Sequence, residues 1–230
     1  MDFETLLYSV DEAVATITLH RPERLNTIVP PMPEEFEAAV RRATVDEAVK
    51  VIVVRGAGRS FCAGYDFGHG FHHWDDIITT DGRWDPGKDF VFATAPVLSP
   101  TQQFMAMWRT PKPVIAQVHG WCLGGGSDGA VRRHRHRLRR RPHRHAPASQ
   151  LAAMKLVVNQ VYENQGLHST QLLGPILDGL MRNTPDARRF IDLTGSEGVA
   201  AVLAERDGPW ADYSHAPPGE QPDPSHVIKP

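Results

Sequence analysis

Apolar residues along this chain follow two rhythms. Short β-type runs dominate the first half, and a helical period begins near residue 149. Residues 3–9 and 13–20 alternate apolar and polar positions and carry β-branched side chains, as the two strands of a hairpin turning at Asp11-Glu12 would. Arg21-Pro22-Glu23-Arg24-Leu25-Asn26 then leaves the sheet. Pro31 to Val49 predicts a helix, with prolines at its start, Glu34 and Glu35 in its first turn, and Phe36, Ala39, Val40 and Ala43 on one face. Val51-Ile52-Val53-Val54 is a continuous apolar run of the kind that forms a buried strand. Strand, helix and strand in that order make a crossover unit. Thr101 to Trp108 predicts a further helix ending before Pro111, and 113–118 a second buried strand. From 149 onward Leu151, Met154, Leu156, Val157 and Val161 line one helical side, and Leu172, Leu173, Ile176, Leu177 and Leu180 another. A third helical segment covers 186–205, and a Pro-rich tail runs from Pro217 to Pro230.

Residues 67–98 show no clear period. His72-His73 beside Asp75-Asp76 supplies metal-ligand residue types, but no spacing matches a known ligand pattern. The stretch reads as a long polar loop at the mouth of a site, and no metal is expected.

Each buried strand runs into a glycine-bearing turn. Val51–Val54 leads to Ser60-Phe61-Cys62-Ala63-Gly64-Tyr65-Asp66, and Val114–Val118 leads to Gly120-Trp121-Cys122-Leu123-Gly124-Gly125-Gly126-Ser127-Asp128. Turns poor in bulky Cβ groups leave backbone N–H groups pointing outward. Two of them side by side can aim two donors at one oxygen, which stabilises negative charge developing on a thioester or other acyl oxygen. From Gly126 a helix is expected to open with its N-terminus toward that oxygen.

Composition narrows the picture. An apolar content of 41% over 230 residues supports a real core. No run approaches the ~18 apolar residues of a membrane span, and the acidic start Met1-Asp2-Phe3-Glu4 is unlike a secretory leader. Two cysteines, Cys62 and Cys122, make no disulfide framework, which points to a cytoplasmic setting. The net charge of −2 hides an asymmetry, because eight of the 25 Lys and Arg residues lie between Arg132 and Arg144.

The two turns, with His20-Arg21-Pro22-Glu23-Arg24-Leu25-Asn26 and Arg55-Gly56-Ala57-Gly58-Arg59-Ser60-Phe61-Cys62-Ala63-Gly64 before them, resemble the crotonase family, also called the enoyl-CoA hydratase/isomerase family. The resemblance is continuous over 3–128, and 151–230 look like the C-terminal helices and tail of a hydratase-like branch. It implies an α/β fold, a crotonase-type spiral of ββα units with a C-terminal helical region. It also implies an acyl-CoA thioester substrate, a homo-oligomer (trimer or hexamer), and no cofactor beyond the coenzyme A of the substrate. By position, the N–H groups of Tyr65 and Gly125 become the oxyanion donors. Ala63, Asp66 and Phe67 fall where the family wraps the adenine. Gly124 joins the CoA-contacting set, and Arg24 with Leu25 holds CoA from the other side. Asp128 stands where hydratases of the family carry a Glu that works on the attacking water. One methylene shorter, it is either a general acid or base or a carboxylate at a helix start.

The likeness breaks after Asp128. Residues 129–150 are Arg- and His-rich, without an aromatic for base stacking or a nucleic-acid motif, so specific nucleic-acid binding is not expected. Back-translated with GC-rich codons and read one base forward, Gly129 to His143 becomes Ala-Leu-Cys-Ala-Asp-Ile-Val-Ile-Ala-Ser-Ala-Asp-Ala-Arg-Ile. That is the helix end and buried strand that the family would place there, which points to an out-of-frame reading. Several tens of family residues, the second hydratase acid among them, then have no counterpart, so the spiral is incomplete. The expected organisation is a crotonase core at 1–128, an anomalous unstructured segment at 129–150, a helical region at 151–216 and a tail at 217–230.

Overall fold

The computed structural model of the chain describes residues 3–66, 72–127, 147–198, 201–202 and 204–205. These residues belong to two compact units, one made of 1–66 with 72–180, the other of 67–71 with 181–230.

The first unit is built on a four-stranded sheet. Strands β1 (Leu6–Asp11) and β2 (Val14–Leu19) form an antiparallel hairpin in which Asp11 pairs with Val14 and Leu6 with Leu19. Helix α1 (Met32–Val45) follows, then β3 (Val51–Gly56), which lies parallel to β2. Strand β6 (Val114–Gln117) adds in parallel on the other side of β3. The order β1-β2-β3-β6 thus places both turn-bearing strands next to each other. Strand β3 is apolar from Val51 to Val54 because both of its faces are covered.

Helix α1 packs Met32, Phe36, Ala39, Val40 and Ala43 into the core with Leu6, Ile17 and Ile52. It ends at Val45, not at Val49 as the pattern predicts. The Asp46 side chain accepts from Ala48 N at 2.9 Å, a local turn that competes with continued helix. Of the two first-turn acids, Glu35 does more than favour the helix start. Its carboxylate accepts from Glu4 N at 2.6 Å, Thr5 N at 2.8 Å and Thr5 Oγ1 at 2.6 Å, fixing the entry to β1.

The polar stretch 67–98 is more ordered than a loop. Its described part holds a 3₁₀ turn at His72–Trp74, helix α2 (Asp75–Ile78), the short pair β4 (Thr79–Thr80) and β5 (Arg83–Trp84), and helix α3 (Pro86–Thr94). Asp85 caps α3 by accepting from Gly87 N and Lys88 N, and Trp84 Nε1 donates to Asp89 at 2.8 Å. Such local polar bonds leave no hydrophobic period in the sequence. The helix expected at 101–108 is two short ones, α4 (Pro100–Phe104) and α5 (Ala106–Arg109).

Helices α6 (Ala148–Asn164) and α7 (Leu167–Met181) follow. Only Leu151 of α6 is buried, and Met154, Leu156, Val157, Val158 and Val161 are exposed. Polar side chains anchor this helix instead. Lys155 Nζ donates to Met107 O at 2.7 Å and Lys112 O at 2.9 Å, and Asn159 donates to Trp108 O at 3.1 Å. Trp108 Nε1 donates to Glu163 at 2.6 Å, with Tyr162 edge-on to the Trp108 ring.

In the second unit, helix α8 (Pro185–Glu197) starts at Thr184, whose hydroxyl accepts from Ala187 N at 3.3 Å. Arg189 pairs with Glu205. No helix among the described residues is long and apolar enough to cross a membrane.

Candidate active site

Three segments meet at the ends of β2, β3 and β6. Leu25 and Asn26, in the first, both hold left-handed backbone, at φ 54° and 55°. That reversal lets Leu25 O accept from Ala63 N at 3.1 Å and brings Ile28 into a parallel bridge with Tyr65. Asn26, fully buried, staples the turn after β3. Its side chain donates to Ala57 O and Ser60 O, both at 2.8 Å, and accepts from Arg21 N at 2.9 Å.

The first glycine turn aims its backbone by a change of direction at Gly64. Cys62 faces the second turn: its N–H donates to Trp121 O and its carbonyl accepts from Leu123 N, both at 3.1 Å. Ala63 N points the opposite way, to Leu25. Gly64 sits at φ 92°, a value open to glycine, and so interrupts the strand alternation. Its carbonyl accepts from Ile28 N at 2.8 Å. Carbonyl and amide of one trans peptide point in opposite directions, so the N–H of Tyr65 is directed away from Ile28. Asp66 N donates to Ile28 O at 3.0 Å, which likewise turns the Tyr65 carbonyl away.

The second turn lies directly alongside. Gly124 to Ser127 form a 3₁₀ turn. The two turns approach closely at their glycines. A Cβ on Gly64 would lie 3.0 Å from Leu123 O, and one on Gly125 would lie 2.8 Å from Tyr65 Cε2 and 3.0 Å from Ile28 Cδ1. The Tyr65 ring is held edge-on by Trp74, with centroids 5.6 Å apart. An apolar cavity of about 30 Å³ touches Gly125, and Ile28, Met32, Phe36, Cys62 and Phe104 help to line it.

A charged cluster borders the turns. The Asp66 carboxylate, 4% exposed, accepts from Arg21 at 3.0 Å, Arg24 at 3.3 Å and Thr27 Oγ1 at 3.0 Å. Arg21 also donates to Thr27 O at 2.6 Å. The Arg24 side chain remains 41% exposed. Among the described residues, no three His, Cys, Asp or Glu side chains converge as a metal site would need.

The structure therefore brings Arg24, Leu25, Ala63, Asp66, Tyr65, Gly124 and Gly125 into one neighbourhood. Phe67 and Asp128 lie outside the described residues, as do the Arg-rich segment and the Pro-rich tail. Sequence reading gave Arg21, Asn26 and Thr27 no role. The available signal was a polar Arg-to-Thr stretch directly after an apolar strand, where buried polar groups must find partners.

Residues 9–131 match the family model described as enoyl-CoA hydratase/isomerase. A 1,2-epoxyphenylacetyl-CoA isomerase of Escherichia coli K12 is 32% identical over 128 residues, 56% of this chain and 45% of that protein. A probable enoyl-CoA hydratase of Mycobacterium tuberculosis H37Rv is 35% identical over 129 residues, 56% of this chain and 44% of that one. A crystal structure of an enoyl-CoA hydratase from Mycobacterium smegmatis superposes with a TM-score of 0.77 at 25% identity, over 92% of this chain and 96% of that chain. The chain spans about half the length of the curated relatives it matches. With its adjoining glycine turns and crossover sheet, the fold is of crotonase type, and the chain belongs to the enoyl-CoA hydratase/isomerase family.

Proposed function

We propose that the chain is an acyl-CoA-processing enzyme of crotonase type, and that its reaction is hydration of the 2,3 double bond of an enoyl-CoA thioester. One observation carries this reading: the peptide plane at Gly64 turns the Tyr65 N–H away from Ile28, and the Gly124–Gly125 turn packs against that same residue. A thioester oxygen between the Tyr65 and Gly125 N–H groups would have its developing enolate charge stabilised by fixed donors. Asp128 would position the water or carry the proton. The partly exposed Arg24, paired with Asp66, suits a CoA phosphate, and the family resemblance would give Leu25, Ala63, Phe67 and Gly124 CoA contacts as well. Coenzyme A would arrive with the substrate, no further cofactor would be used, and the working form would be a homo-oligomer.

The half-length match to relatives favours a second reading, a chain that binds CoA thioesters without turning them over. Isomerisation is the rival within the family, since the relatives' names include both reactions. Incubation of the full chain with crotonyl-CoA and, separately, with a 3-enoyl-CoA, each followed by product chromatography, together with a CoA-thioester binding isotherm, separates the three. Formation of 3-hydroxybutyryl-CoA supports hydration. Conversion of a 3-enoyl-CoA to the 2-enoyl isomer without hydration supports isomerase chemistry. Saturable CoA-thioester binding by a well-folded chain that yields no product leaves the binding role.

A further inference from the structure

The chain's two cysteines are placed opposite each other in the two turns. Cys62 and Cys122 form a parallel β-bridge, and Cys62 bonds through its backbone to both neighbours of Cys122. Parallel neighbours lie about 4.8 Å apart with side chains on a shared face. The surroundings agree with that orientation. Both cysteines pack on the same apolar core, whereas Trp121 and Leu123 on either side of Cys122 are exposed. Disulfides join residues whose Cα atoms are about 4.4–6.8 Å apart, a range that includes this strand spacing. Both are thiols here, Cys62 buried and Cys122 half-buried. Cys62 also lines the apolar cavity, and its Sγ lies 4.0 Å from Gly64 O.

We propose that Cys62 and Cys122 form a reversible disulfide that ties the two glycine turns together and switches the site. The oxidant class is a low-molecular-weight disulfide. The half-buried Cys122 thiolate attacks one sulfur of that disulfide, its S–S bond breaks, and one small thiolate leaves. The Cys62 thiolate then attacks the Cys122 sulfur and expels the second. The two cysteine protons end on the two released thiols, and the two electrons lost by the cysteines reduce the small disulfide. The new bond sits three residues before both Tyr65 and Gly125, so it fixes the spacing of the two turns at their base. A single conditional bond of this kind is consistent with a reducing compartment, where protein disulfides are transient or redox-sensing. The effect on turnover rests on the acyl-CoA reading, whereas formation of the bond does not.

The test uses the full, reduced chain treated with oxidised glutathione under native conditions, then alkylated, digested with trypsin without reductant and analysed by mass spectrometry. The expected result is a linked pair of peptides carrying Cys62 and Cys122, with both thiol titres lost together and recovered with dithiothreitol. Cys62→Ser is expected to stop at a glutathione adduct on Cys122, and Cys122→Ser to keep Cys62 reduced. If Cys62→Ser does not fold, wild type and Cys122→Ser carry the test. Two adducts on one chain, disulfide-linked dimers, or two unreacted thiols overturn the proposal. Crotonyl-CoA turnover is expected to fall on oxidation and return on reduction, and unchanged turnover in the linked chain overturns the switch. Failure of the linkage sinks the pair whatever the activity. A reduced chain with no turnover, but with the linkage formed, sinks the hydration reading and the switch of turnover while leaving the disulfide pair.

Discussion

Gly125 lies against the ring of Tyr65 so closely that a methyl group on it would come within 2.8 Å of Tyr65 Cε2. One residue thus contributes its backbone to the proposed oxyanion site, and the other packs its ring over that backbone. Gly125→Ala should displace the ring or the 3₁₀ turn while leaving the sheet intact. We expect crotonyl-CoA hydration to fall by about 10²-fold, the scale of losing one oxyanion donor. The urea midpoint should change little. An alanine variant with wild-type turnover would remove Gly125 from the site.

The Asp66 cluster is exposed to loss in one direction only. Replacing the buried carboxylate takes an ion-pair partner from the Arg21 guanidinium, whose other acceptors are Thr27 O and Thr27 Oγ1. Asp66→Ala is expected to destabilise the chain by about 3–5 kcal/mol, the range for breaking a buried pair. Arg24→Ala, at a position 41% exposed, should cost far less stability and should weaken CoA-thioester binding instead. Paired urea titrations and binding isotherms check this, and equal destabilisation by the two variants would refute it.

Lys155 supplies a pH dependence with a defined sign. Burial lowers its ammonium from the ordinary 10.5 to about 8. In that window the unfolded chain binds more protons than the folded one, so folding stability should rise as pH increases from about 8 toward 10.5. Lys112, also lowered by burial, acts in the same direction. Tyr8, whose hydroxyl is raised mainly by burial from 10.0, works against the trend at higher pH, so the slope is best read below that value. Lys155→Met should flatten this rise and also release helix α6, whose carbonyl partners at Met107 and Lys112 lose their donor. Urea midpoints between pH 7.5 and 9.5, roughly the span over which the group titrates, measure both effects. A wild-type curve that falls with pH would contradict this account.

The sheet was legible because its strands carry long apolar runs and its first helix a clear period, features that sterics and burial translate directly into sequence. The two turns were legible because their glycines answer to close contacts, with backbone at Gly64 and Gly120 and with the Tyr65 and Ile28 side chains at Gly125. Asn26, Arg21 and Thr27 were not, since a buried polar network leaves no periodic trace. Helix α6 was misleading in a more instructive way. Its apolar side, with Leu156 64% and Val157 68% exposed, is not the side that holds it to the first unit. Lys155, Asn159 and Glu163, spaced one helical turn apart, make the attachment. Val157→Glu should therefore change stability by no more than about 0.5 kcal/mol in dilute solution, as exposed positions do. Leu151→Ala should cost about 2–3 kcal/mol. Thermal or urea unfolding of the two variants decides between a polar and an apolar anchor.

The eight arginines between Arg132 and Arg144 follow within a few residues of Gly125. Charges at that density cannot enter a core without partners, so they cannot replace a buried strand. The one-base-shifted reading is apolar, with the Ile-Val-Ile run that such a strand requires. The coding DNA across codons 126–152 is therefore expected to contain an inserted or missing base. A gene repaired at that base should give a chain with a higher urea midpoint and no retention on DNA-cellulose. If the DNA instead encodes the arginines as they stand, the segment is a real basic arm. The chain should then bind DNA with an affinity that falls steeply with salt, and deletion of residues 132–145 should abolish that binding.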